Sequence, residues 1–327
     1  MRCFITGIGG FAGLHLAEAL LTDGHDVTGS VTGAAGRAAL RALAARHRGF
    51  AADRLAILDV GDPAAVGRAL AAAAPERIFH LAAIAFAADA EADPARTFAV
   101  NVLGAVHVID AAQTVAPAAR VVVVGSAEAY GAISAADLPI AETTPLRPVN
   151  LYGVSKAAAD MAAFERWWAR GRPVIRVRAF NHTGPGQRPD FVCSDFARQI
   201  ARIEAGLAPP LLHVGNLRAE RDFSDVRDVV RGSALLAERG EAGEAYNLCT
   251  GTATSVGAIV DILVAESGVT IECRREPGRV RAREVPAVVG SAARAAALGW
   301  SPTIPLRQTL RDLLRYWRER LADDPRA

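Results

Sequence analysis

Tyr152-Gly153-Val154-Ser155-Lys156 places a phenol and an ammonium four residues apart, so that on a helix the two share a face. A free tyrosine titrates near ~10 and exchanges a proton at neutral pH only where a neighbouring cation stabilises the phenolate. Lys156 stands where that cation would be. By itself the spacing also fits a half-buried tyrosine beside a solvated lysine, so the elements around it must decide. A hydroxyl, Ser126, and a carboxylate, Glu128, stand about one crossover upstream.

Those elements read as alternating strands and helices. Val154 to Trp168 is rich in Ala, Met, Glu and Lys and predicts a helix after the loop residues Leu146-Arg147-Pro148. Arg120-Val121-Val122-Val123-Val124-Gly125 is a near-continuous β-branched run, the pattern of a central parallel strand covered on both faces. Open α/β sheets bind ligands at the carboxyl ends of their strands. Ser126 and the following Ala127-Glu128-Ala129-Tyr130-Gly131 therefore face the site, and the next crossover delivers Tyr152 to it.

The first strand, Arg2 to Thr6, ends in Gly7-Ile8-Gly9-Gly10-Phe11-Ala12-Gly13, after which Leu14, Ala17, Leu20 and Leu21 recur at helical spacing. Strand, glycine turn and helix N-terminus suit a dinucleotide pyrophosphate, with Gly7, Gly10 and Gly13 in the spacing GxxGxxG. Asp26 to Val31 reads as the second strand. Its end distinguishes the nicotinamide cofactors, because a carboxylate there holds a ribose 2′-hydroxyl. Ser30, Val31 and Thr32 occupy the position without an acid, and Arg37 follows, either reaching a 2′-phosphate or solvated on its helix. NADP(H) is the favoured cofactor and NAD(H) the alternative. Arg54 to Val60 reads as a third strand whose Asp59, beside Val60, meets an adenine amino group or caps the helix from Pro63. Arg77 to Ala83 reads as a fourth, in which Leu81, Ala82 and Ala83 let backbone lie against a ribose and His80 is a core histidine. Asn101, among apolar neighbours on the helix from Pro94 to Thr114, must find hydrogen-bond partners.

At 327 residues and 51% hydrophobic content, the chain can bury one large core with a smaller one. The fold class expected is α/β, a doubly wound parallel sheet in residues 1–179 with a smaller lobe in 180–327, of which 222–248 returns to the large domain. A net charge of +2 and the lack of a basic stripe argue against a nucleic-acid partner and for a small molecule. Cys3, Cys193, Cys249 and Cys273 lack ligand spacing, which predicts no metal and reduced thiols. Met1 runs directly into a strand and no stretch reaches ~18 uninterrupted apolar residues, so a cytoplasmic protein without a membrane span is expected.

The glycine loop, Asp59-Val60, the strand ending in Ser126 with Tyr130-Gly131, and Tyr152-Gly153-Val154-Ser155-Lys156 resemble the extended short-chain dehydrogenase/reductases acting on nucleotide sugars. Segments 178–187, 191–197 and 215–228, including Arg178-Ala179-Phe180-Asn181-His182, are similar to the GDP-4-keto-6-deoxy-D-mannose reductases. The resemblance implies hydride transfer between nicotinamide and hexose C4. Tyr152 would be the acid or base on the C4 oxygen, Lys156 would hold the nicotinamide ribose and depress the Tyr152 pKa, and Ser126 would orient the same oxygen. It further implies sugar or pyrophosphate contacts from Asn181, Val192 and Glu284, a diphosphate clamp by Arg221 and Arg281, and a homodimer through the helices around Asn101 and Ala158. The sequence departs from the branch in Gly125-Ser126-Ala127-Glu128 and in Ala282, where a proline is usual. Two other readings stay open: a 4,6-dehydratase or epimerase, with Glu128 as a base, and a cofactor-sensing binding protein.

Overall fold

Short β-branched runs separated by alanine-rich helical stretches build the structure, a computed structural model that describes residues 1–50, 54–276, 278, 285–324 and 326, with backbone alone for 34–39. In chain order the first half comprises β1 (Arg2–Thr6), α1 (Phe11–Thr22), β2 (Asp26–Val31), α2 (Ala34–Arg46), β3 (Ala56–Ile57), α3 (Pro63–Ala73), β4 (Arg77–His80), α4 (Ala87–Ala92), α5 (Pro94–Phe98), α6 (Gly104–Val115), β5 (Arg120–Ser126), α7 (Leu151–Arg170) and β6 (Val174–Ala179). Then follow β7 (Asn181–Thr183), α8 (Val192–Glu204), β8 (Leu211–Val214), β9 (Glu220–Arg221), β10 (Phe223–Asp225), α9 (Val226–Arg239), β11 (Ala245–Leu248), β12 (Thr254–Ser255), α10 (Val256–Ser267), β13 (Glu272–Arg275), β14 (Ala287–Val288), α11 (Ala293–Ala297) and α12 (Leu306–Asp323).

Seven strands form one sheet in the order β11-β6-β5-β4-β1-β2-β3, with every neighbouring pair parallel. The two-residue period of β5 explains why both faces are covered: Val122 belongs to the core that holds Leu16, Val226 and Trp300, while Val121 and Val123 belong to the one that holds Leu70, Ile109 and Ala163. After β7 to β10 the chain comes back, laying α9 in the first of these cores and adding β11 beside β6. Phe196, Ile200, Leu212, Ile259, Leu313 and Trp317 form a separate core in the second half. A fourth cluster of Ala127, Tyr130, Ile140, Phe180 and Cys249 lies next to the end of β5.

Residues Pro94–Val115 are long and apolar enough to cross a membrane by length and composition. In the structure that hydrophobicity goes into packing, with Val100, Ala105, Val108, Ile109 and Ala112 all in the core under β4 and β5. The third strand is shorter than the run Arg54 to Val60 predicts. Only Ala56–Ile57 pairs with β2, because the chain turns at Asp59, whose backbone carbonyl accepts from the Asp62 N–H at 3.0 Å. The N-cap of α3 is likewise Asp62, accepting from the Ala64 and Ala65 N–H groups at 2.9 and 3.1 Å, so the capping alternative for Asp59 is corrected.

Between β5 and α7 the chain makes an excursion closed where Gly131 pairs with Arg147. Gly131 has φ +62°, and a Cβ there would sit 2.0 Å from the Arg147 carbonyl oxygen. A Gly131→Ala substitution should therefore lower unfolding stability by about 1–3 kcal/mol, read from urea denaturation. An unchanged midpoint would show that the excursion relaxes freely.

Candidate active site

The N-terminal turn is built by glycines for steric reasons. Gly7 has φ +71°, and a Cβ on it would come within 3.0 Å of the Ala82 backbone; a Cβ on Gly13 would fall 2.3 Å from the Gly7 carbonyl oxygen. The first turn of α1 therefore lies directly on the loop, as a close-approaching pyrophosphate requires. No side chain caps α1 at Gly10. The Gly7 and Ile8 N–H groups donate to the Ser30 carbonyl at 3.0 and 3.2 Å, tying the turn to the end of β2. Ser30 is buried and Thr32 exposed, and no carboxylate stands between Thr28 and Gly33. The side chain of Arg37 lies outside the described residues.

Thr6 joins the turn to the end of β4. Its hydroxyl accepts from the Leu81 and Ala82 N–H groups, both at 3.2 Å, and shares a 2.8 Å hydrogen bond with His80 Nδ1. Burial, with the charge of Lys156 adding to it, holds His80 neutral with its pKa at about 3. Ala82 and Ala83 follow this anchor. Asp59 accepts from the Gly61 N–H at 2.8 Å and pairs with Arg96 at 2.6 Å. Beside it, Val60 is core and its carbonyl bonds His107.

Ser126, Tyr152 and Lys156 converge at the carboxyl end of β5. The strand passes into a single 3₁₀ turn, Ala127–Ala129, capped by the Ser126 hydroxyl, which accepts from the Glu128 N–H at 3.2 Å. Helix α7 starts beside it. Asn150 caps this helix by accepting from the Gly153 N–H at 2.7 Å and donates from Nδ2 to Glu128 Oε2 at 2.8 Å. A Cβ on Gly153 would sit 2.5 Å from the Glu128 carbonyl oxygen, so glycine is what lets the helix start against the strand end. One turn on, Lys156 is 7% exposed and donates from Nζ to the Val124 carbonyl at 3.0 Å, its ammonium 5.9 Å from the Tyr152 ring centre.

The buried amide Asn101 supports this helix from beneath. It lies on a π-helical turn, Ala99–Leu103, between α5 and α6. It accepts from the Ile84 N–H at 2.8 Å and donates to the Ile84 carbonyl at 3.0 Å and to the Ser155 hydroxyl at 2.9 Å. The loop after β4 and helix α7 are thereby held to one side chain.

The electrostatics correct one expectation. The Tyr152 phenol is not lowered overall: burial pushes it up to about 12, the Ser126 hydrogen bond opposing and the Glu128 charge reinforcing the rise. Burial also draws Lys156 down to about 8. The physical reason is desolvation of both groups, with the ammonium turned to a backbone carbonyl. Tyr152 is therefore a protonated acid near neutrality, and Lys156 is charged only below about 8.

Of the predicted substrate contacts, Asn181 is exposed at the start of β7, registered opposite Phe223. Val192 starts α8 and packs on the second core. Arg221 donates to the Glu220 carbonyl at 2.8 Å and the Pro286 carbonyl at 3.4 Å. Arg281 and Glu284 lie outside the described residues. Two features were not anticipated. Asn150 carries the ordinary signal of an asparagine before a helix, and could have been found from it. Phe11 stacks on His182 with ring centres 6.1 Å apart, and His15 Nε2 meets the Pro185 carbonyl at 2.8 Å, joining the glycine-turn helix to the segment after Asn181. Neither contact has a signal in local sequence.

The sign of the pH dependence follows from Lys156. Its pKa is lowered to about 8, so the cation at the site is present below that pH and lost above it. Values of kcat/KM, which report the free enzyme, should fall as pH rises through about 8. In Lys156→Arg, whose charge does not titrate in this range, that limb should vanish. A limb that persists in this variant would assign the titration to another group.

The family model described as GDP-mannose 4,6 dehydratase matches residues 4–313. The GDP-6-deoxy-D-mannose reductase of Pseudomonas aeruginosa is 34% identical over 324 residues, 99% of each chain. The solved structure of RMD from Pseudomonas aeruginosa complexed with NADPH superposes with a TM-score of 0.84 at 32% identity, covering 98% of this chain and 100% of that one. UDP-glucose 4-epimerase from Thermotoga maritima, solved with UDP-glucose, gives 0.87 at 26% identity over 98% and 100%. With a strand-end serine, a Tyr-x-x-x-Lys helix and a glycine turn on one parallel sheet, the chain belongs to the GDP-mannose 4,6 dehydratase family of extended short-chain dehydrogenase/reductases.

Proposed function

We propose that the chain reduces the C4 keto group of a nucleotide-linked 4-keto-6-deoxyhexose, GDP-linked, using NADPH. The observation that carries this reading is the convergence of Ser126, Tyr152 and Lys156 at the carboxyl end of β5, in a chain 34% identical to a reductase over both full lengths. Reduction asks the protein for one proton on the nascent C4 oxygen, and a phenol raised to about 12, in hydrogen-bonding reach of Ser126, holds that proton at neutral pH. Bound NADPH supplies the hydride. Ser126 orients the carbonyl oxygen, Lys156 offers its charge to the nicotinamide ribose, and Gly7, Gly10, Phe11 and Gly13 receive the pyrophosphate. NADP(H) over NAD(H) is supported by the acid-free end of β2 and by the NADPH complex of the Pseudomonas aeruginosa structure. The 34% identity to the reductase over both full lengths supports the GDP-linked substrate.

Residues 1–179, with 222–248, are read as the dinucleotide-binding part and the remainder as the sugar-nucleotide lobe, where Asn181, Val192, Arg221, Arg281 and Glu284 would lie on the substrate. The cysteines are free thiols, three of them buried, which suits the cytoplasm. Dehydration would need a base for the C5 proton as well. Glu128 is its candidate, but its carboxylate is held by Asn150, and Ala127 beside it has no proton to transfer.

Purified protein given a GDP-linked 4-keto-6-deoxyhexose should oxidise NADPH one for one with product, and NADH less efficiently. Tyr152→Phe should lower turnover by at least about two orders of magnitude while keeping cofactor binding. Accumulation of a 4-keto-6-deoxy product from GDP-mannose, without net cofactor consumption, would instead make the chain a dehydratase.

The second copy of a homodimer would cover α7. Val154, Met161 and Trp168, seven residues apart, are 37%, 64% and 74% exposed, beside Phe164 at 40% and Leu103 at 51%. Sedimentation should give a dimer for the wild type and a monomer for a Met161→Glu, Trp168→Glu double variant. A monomeric wild type at micromolar concentration would refute it.

A further inference from the structure

Beneath the site lies a buried cation that the proposed reaction does not use. Arg178, on β6, is 5% exposed, and its donors divide between two parts of the active site. Nε and one terminal nitrogen donate to the two carboxylate oxygens of Asp160 at 2.9 Å each. The other terminal nitrogen donates to the Tyr130 hydroxyl at 3.0 Å and to the Glu142 carbonyl at 2.9 Å. Asp160, 4% exposed, also accepts from Arg176 at 2.6 Å. It sits on α7 one turn beyond Lys156 and two beyond Tyr152, so the carboxylate shares their face. Tyr130, fully buried, ends the turn that starts at Ser126, and its hydroxyl donates to Asn247 Oδ1 on β11 at 2.7 Å. Asn247 in turn donates to the Ile140 carbonyl at 2.9 Å.

One guanidinium thus bridges the helix carrying the acid and the turn carrying the serine. A bidentate arginine–carboxylate pair fixes distance and orientation together, and in a water-poor interior no solvent can take over a missing partner. We propose that Arg178 and Tyr130 are positioning residues, acting through Asp160 on Tyr152 and through the turn of residues 127–130 on Ser126, to set the separation of the phenol from the serine hydroxyl. Arg178 lies three residues before Asn181, so the same clamp also anchors the strand that delivers the sugar-facing segment. The inference rests on the reductase reading above.

Tyr130→Phe is the gentlest test, since it keeps the ring packed and removes only the oxygen that joins Arg178 to Asn247. With NADPH and a GDP-linked 4-keto-6-deoxyhexose, it should lower kcat by about tenfold while both KM values stay within about twofold. Added to Ser126→Ala it should cost no more than about a further twofold, because the two act through one contact. Arg178→Lys keeps the charge but cannot span from Asp160 to Tyr130, and should lose at least as much turnover with cofactor affinity, read by fluorescence titration, unchanged. Should that variant fail to fold, the Tyr130 cycle decides alone. An active wild type with Tyr130→Phe at full kcat overturns the inference, as does a fully multiplicative loss in the double variant, which would make Tyr130 merely structural. An inactive wild type overturns the reductase reading, and this inference with it.

Discussion

The ammonium of Lys156 is the constraint around which the site is arranged. It is almost fully removed from water and, among the described residues, its hydrogen bond is to the Val124 carbonyl rather than to a carboxylate. An ammonium so placed is costly, which is what its lowered pKa expresses. The buried groups beside it are neutral, chiefly because they too have lost solvent. His80, on the adjacent strand, is kept uncharged by burial and by that cation, and its Nδ1 is satisfied by the Thr6 hydroxyl. Thr6 then has two further bonds to make, and makes them to the backbone after β4, at Leu81 and Ala82. The geometry of the glycine turn and the position of the lysine are therefore not independent features of the fold.

Much of this was legible in sequence wherever chemistry and spacing coincide within one element. Tyr152 and Lys156 needed only helical periodicity, the glycine turn needed only its place between strand and helix, and β5 announced itself by four consecutive valines. The third strand was over-read because an apolar run of that length cannot say where pairing stops; the Asp59 turn stops it, and the cap falls to Asp62. Contacts across elements had no local signature. Asn101 was legible as a buried amide needing partners, but not that one partner would be Ser155, inside the catalytic helix. The pairing of Asp160 with Arg176 and Arg178 depends on how α7 lies across β6, which follows from packing after the chain has folded.

The electrostatics was the least legible part. A lysine four residues after a tyrosine suggests an acidified phenol, which requires the cation's field to outweigh desolvation. Here both groups have lost solvent, and the loss dominates for each. Sequence spacing reports the field but not the burial, so it predicted the opposite direction.

That direction bears on which reaction the common triad performs. Reactions that begin by oxidising C4 need Tyr152 as a base, which means paying for a phenolate in a site that disfavours it. A reductase starts from the protonated phenol, the form that burial already stabilises. Glu128 adds to the rise: it is held by the cap residue of α7, and its charge lifts the Tyr152 pKa further. The cap at Asn150 thus joins the start of α7 to the electrostatic surroundings of its tyrosine.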